Sequence, residues 1–95
     1  MRVKLVVTRE AIDCFKKEWG YAPGDQVRVY VRYISGSKNP FGFGLMKDTP
    51  NEPAAITEVE GYTFYMETDD VKFIHGESLT IDAEKGEIVY RVDAV

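Results

Sequence analysis

The sequence predicts a single α+β domain over residues 1–95, with one N-terminal amphipathic helix packed on a sheet of about six or seven short strands. Three observations lead there. Apolar residues between Thr8 and Trp19 recur at helical spacing. From Gln26 the period changes to two. Beyond that, Gly, Pro, Asn and Asp cut the chain into runs of strand length.

Val3, Leu5 and Val7 alternate with Lys4 and Val6 and read as a first strand. Thr8 offers a hydroxyl cap to the free N–H groups of the next turn, and Glu10 favours the positive end of the helix dipole. Ala11, Ile12, Phe15 and Trp19 form the apolar stripe, expected to cover the sheet face of Val27, Val29 and Val31, and Gly20 stops the helix. On the strand from Gln26, Arg28, Tyr30, Arg32 and Ile34 face the other way. Ser35–Pro40 is a polar loop, and Phe41–Lys47 re-enters as a strand through a repeated Phe-Gly doublet. Ala54–Val59 and Tyr62–Glu67 flank a hairpin turn at Glu60-Gly61. Thr68-Asp69-Asp70 caps a single helical turn, and Leu79–Asp82 pairs with Ile88–Val92 across a polar turn.

Composition narrows the function. A net charge of −4 lacks the basic cluster that phosphate neutralisation requires, which argues against nucleic acid. No apolar run approaches the roughly 20 residues that span a bilayer. MRVKLVV lacks the core of a signal peptide, so cytoplasmic residence is expected. With Cys14 as the only cysteine, no intramolecular disulfide forms.

Several segments together resemble a known family. TREAIDCFKKEW, VRVYVRYISGS, Gly42-Phe43 and YTFYMETDDVKFIHGESLTID are similar, in order, to the HesB-like, A-type iron–sulfur cluster biosynthesis domain, and to its cysteine-poor bacterial subgroup. The resemblance implies a compact β-rich fold, self-association and a link to iron–sulfur assembly. In that family the loop after the central strand reads glycine–cysteine and a Cys-Gly-Cys pair closes the chain. Here Ser37 follows Gly36, and no cysteine lies near Val95. Serine stays protonated at neutral pH and suits an iron–sulfur cluster poorly, so no metal or cofactor residue is carried over. No cofactor is expected, and weak iron binding stays open.

The other candidates have ordinary readings beside them. Cys14 is a packing residue or a redox-sensitive thiol. His75, beside Asp69, Asp70 and Glu77, is a surface turn residue or a weak metal ligand. Asp69-Asp70 fits a helix start better than an acid–base pair. No catalytic signature occurs, so an enzyme is not expected. Partner binding is assigned to Arg28, Tyr30, Arg32, Ser37, Lys38, Phe41 and Phe43, a cationic stripe with aromatics beside an exposed loop. The alternative ties the arginines to Glu67, Asp82 or Asp93 on neighbouring strands. The expected role is thus an accessory interaction in iron–sulfur metabolism without a stable cluster of its own, the partner being the assembly machinery. The second reading is a diverged, non-catalytic protein-interaction domain unrelated to iron or sulfur.

Overall fold

The structure is a computed structural model and describes residues 3–33, 41–72, 74 and 78–93. Among these are the strands β1 (Lys4–Val7), β2 (Gln26–Tyr33), β3 (Phe41–Lys47), β4 (Pro53–Val59), β5 (Tyr62–Glu67), β6 (Ser78–Glu84) and β7 (Glu87–Asp93). The helix α1 (Arg9–Cys14) follows β1, and α2 (Thr68–Val71) follows β5.

The strands form two sheets rather than one, ordered β1-β6-β7 and β3-β2-β5-β4. Among the described residues strand makes up 56% and helix 19%, so the fold is mostly β, which corrects the expected α+β arrangement of a single N-terminal helix on one sheet. The division arises because β1 pairs in parallel with β6, far along the chain, while β2 pairs in parallel with β5. Such long-range choices leave no local signature. The hairpins are local and are found as expected. Glu60-Gly61 and Lys85-Gly86 both take positive φ, the conformation whose twist matches two-residue hairpin turns.

Val3, Leu5 and Val7, Ala11, Ile12 and Phe15, Val27 and Val29, Tyr62, Phe64 and Met66, and Leu79 and Ile81 meet in one buried cluster. β1, β2, β5 and β6 each contribute alternate residues, as a pleated strand with one buried face must, while β3 and β7 pack half-buried residues against it. The N-terminus of α1 is tied to this frame through Thr8. Its hydroxyl accepts from the Ala11 N–H at 3.2 Å and donates to the Asp82 carboxylate on β6 at 2.6 Å. Arg91 on β7 holds the other Asp82 oxygen at 2.7 Å.

The Thr8 hydroxyl, then Arg91 and the Ala83 N–H, hold the Asp82 carboxyl down at about 2, from an ordinary 3.8. A carboxyl with a lowered folded value stabilises the protein fully above its unfolded value, and that contribution is lost as pH falls. Melting temperature is therefore expected to drop between about pH 4 and pH 2, and Asp82→Asn to flatten this part of the profile while lowering stability at neutral pH. Thermal melts of both proteins across that range check it; identical profiles would refute the assignment.

Helix α1 does not continue as a regular α-helix. At Phe15–Trp19 it widens into a π-type turn, closed when the Gly20 N–H donates to the Phe15 carbonyl five residues back. The extra residue in the turn rotates Trp19 off the stripe that Ala11, Ile12 and Phe15 share. Trp19 is 39% exposed, whereas Phe15 is fully buried, so the expected core position of Trp19 is corrected.

Candidate functional site

The side chains assigned to partner binding separate in the structure. Arg28 is consumed by an internal pair. In a strand, the N–H and C=O of one residue point to the same side, and this side alternates along the chain. Just before β2, the Asp25 carbonyl accepts from the Thr63 N–H on β5, so Val27, Val29 and Val31 also turn their backbone toward β5. Yet β2 and β5 pair only over Gln26–Arg28, and beyond that the edge of β2 needs another partner. Asp70 on α2 supplies it. Its Oδ1 accepts the Val31 N–H at 3.3 Å, while Oδ2 accepts from Arg28 Nε at 3.1 Å and Nη2 at 2.8 Å. The paired Asp70 raises the guanidinium's already high affinity for its proton. Asp70 is thus structural, as expected, through this carboxylate bridge. The partner of Arg28 is none of the carboxylates considered from sequence.

Tyr30 and Arg32 lie further along β2, away from that pair. The tip of Tyr30 stands over Gly44, its cross-strand neighbour on β3. A Cβ at Gly44 would sit 2.5 Å from Tyr30 Cζ, so a glycine is needed there for the ring to lie across the strand. Arg32 is exposed, opposite Gly42. Phe43 pairs with Val31 and so faces the interior side of β3, not the side of the arginines.

On that interior side, where the edge strands β3 and β7 approach each other, the core is left partly open. Phe43 and Tyr90 bring their ring centres to 5.4 Å and bridge the two sheets. Tyr21 stacks on Phe15 at 5.7 Å and meets Trp19 nearly edge-on at 5.6 Å. Lys47 on β3 holds its ammonium 5.0 Å over the Tyr21 ring and pairs with Asp25 at 3.3 Å. Leu45, Ile88 and Tyr90 are half-buried along this seam, and Val92 is 45% exposed. Burial first, then the neighbouring phenol of Tyr30, pushes the Tyr90 hydroxyl up to about 12, so it stays a hydrogen-bond donor at neutral pH. Half-exposed Tyr and Trp beside cations are the composition of energetically important protein interfaces.

Of the expected set, Phe43 lies on this seam, Tyr30 and Arg32 stand on the opposite face of the β2–β3 ladder, and Arg28 is spent on Asp70. Ser37, Lys38, the loop Ser35–Pro40, the Phe41 side chain and His75 lie outside the described residues. Sequence reading missed Trp19, Tyr21, Lys47 and Tyr90 as surface groups. The tyrosines were legible only as strand and turn residues, because their meeting depends on the two-sheet arrangement.

Cys14 is buried beneath a shallow groove of about 280 Å³ between α1 and the β6–β7 turn, rimmed by Glu10, Asp13 and Glu18. Its thiol donates to the Gly86 carbonyl at 3.5 Å. Burial, then Glu18, pushes the thiol up, which keeps it protonated and unreactive at neutral pH. Among the described residues, no group of three or more His, Cys, Asp or Glu converges on a point that could hold a metal ion. No helix among them is long and apolar enough to cross a membrane.

These features define a small, mostly β, two-sheet domain with an aromatic seam along its free edges. The chain is 31% identical over 81 residues to a Bacillus subtilis (strain 168) protein named pyruvate dehydrogenase inhibitor, which covers 83% of this chain and 85% of that one. It belongs to the family of that protein. No family model matches the chain, and no solved structure matches it. The HesB-like assignment, and the iron–sulfur assembly role and partners it implied, are therefore corrected. The resemblance rested on apolar alternation and spaced glycines, which many β-rich domains share. The thiolates that would have made it specific are missing from the sequence.

Proposed function

We propose that this chain is a cytoplasmic, non-catalytic regulatory protein that binds pyruvate dehydrogenase and lowers its activity, without a cofactor of its own. The family relationship, extending over most of both chains, carries the reading. The seam of Trp19, Tyr21, Phe43 and Tyr90 supports it, because it offers large, rigid contact area at low entropic cost. The second sequence reading, an interaction domain unrelated to iron or sulfur, agrees with this role.

The test uses the purified protein and the pyruvate dehydrogenase complex from the same cell. The protein is expected to co-elute with the complex in size exclusion and to reduce its turnover in a dose-dependent, saturable manner. Separate elution together with unchanged turnover would exclude pyruvate dehydrogenase as the target.

A further inference from the structure

We propose that the free edge of β3 receives an extended segment of the partner protein, apolar and acidic in character, as an added strand. This rests on the protein-binding reading above and specifies how the contact is made.

β3 ends its sheet, with β2 on one side only. Parity decides which of its groups face outward. The Asp48 N–H donates to the Gln26 carbonyl across the ladder, so Gly42, Gly44 and Met46 spend their backbone groups on β2. Phe43, Leu45 and Lys47 turn theirs away from the sheet, and among the described residues no strand pairs with them. The edge is flanked by aromatics on both faces. The Tyr30 tip lies over Gly44 on one face, and Phe43 with Tyr90 on the other. Gly42 carries no side chain to obstruct an approaching backbone, while at Gly44 the Tyr30 tip takes that place. An added strand would gain main-chain hydrogen bonds and set alternate side chains against the two aromatic faces, which is how strand addition combines affinity with specificity.

Charge selects the occupant. Although the chain has a net charge of −4, cations stand at both ends of this edge: exposed Arg32 opposite Gly42, and half-exposed Lys47, whose ammonium is shared with Asp25 at 3.3 Å. An acidic segment complements them.

Hydrogen exchange on the full chain, alone and with the purified pyruvate dehydrogenase complex, tests this. On binding, the amides of Phe43, Leu45 and Lys47 are expected to slow about tenfold or more, and the outer amides of β4 and β7 to stay unchanged. Lys47→Glu is expected to weaken binding about tenfold. Capture of the complex without protection at these amides would overturn strand addition alone and leave the functional reading standing. Protection that grows with the concentration of the chain by itself would overturn it in favour of self-pairing. No capture at all overturns both readings.

Discussion

Replacing Phe15 by alanine is expected to cost about 3–5 kcal/mol, whereas Trp19→Ala costs about 1–2 kcal/mol. Both aromatics lie four residues apart on one helical segment, and sequence reading put both in the core. The structure separates them. Phe15 is fully buried, with ring contacts to Phe64 at 5.4 Å and Tyr21 at 5.7 Å. Its truncation leaves a cavity that the two sheets cannot close without moving. Trp19 meets Phe15 edge-on at 5.4 Å but is 39% exposed, so its loss is partly compensated by water. In a domain holding roughly 5–15 kcal/mol in total, Phe15→Ala approaches unfolding and Trp19→Ala does not. Urea unfolding of the two variants, compared by midpoint at unchanged slope, checks this. Equal losses would mean that Trp19 is as buried as Phe15 and that the π-type turn is misplaced. Trp19→Ala should also lower affinity for the partner by far more than it lowers stability, since the exposed part of the ring belongs to the seam.

What the sequence made legible was local. The cap at Thr8, the stripe of Ala11, Ile12 and Phe15, the alternation of Val27 and Val29, and both hairpin turns depend on neighbours within a few residues, and all were readable. The division into two sheets was not. It depends on β1 choosing β6, and on β2 pairing with β5 and then parting from it, and no residue encodes that choice by itself. The site followed the same rule. Arg28, Tyr30 and Arg32 were correctly placed on one face of one strand, yet they have different surroundings. Arg28 meets α2, Tyr30 crosses Gly44, and Arg32 reaches solvent. Tyr90 and Phe43, more than forty residues apart, were each read as half of a strand pattern, because only the assembled sheets bring their rings together. The family assignment failed for a related reason: spaced glycines and alternating apolar residues describe a β-rich chain in general rather than one lineage.

The internal pair makes an asymmetric prediction. Arg28→Ala is expected to cost about 3 kcal/mol, because it strands the Asp70 carboxylate away from water. Asp70→Asn is expected to cost less, about 1–2 kcal/mol, because the amide oxygen can still accept the Val31 N–H and Arg28 can turn toward solvent. The difference follows from burial: the Asp70 side chain is 8% exposed and that of Arg28 29%. The double variant should cost less than the sum of the two, since the carboxylate stranded by Arg28→Ala is then neutral, and the shortfall measures their coupling. Arg32→Ala, on an exposed side chain of the same strand face, should leave the unfolding midpoint nearly unchanged. The set therefore separates two roles that look alike in sequence, one arginine closing the gap where β5 leaves β2 and another free to meet a partner. Urea titrations of all four variants decide it. If Arg28→Ala proves as mild as Arg32→Ala, the carboxylate bridge does not hold the β2 edge. Arg28 would then return to the binding surface, where partner capture by the folded Arg28→Ala protein would show its loss directly.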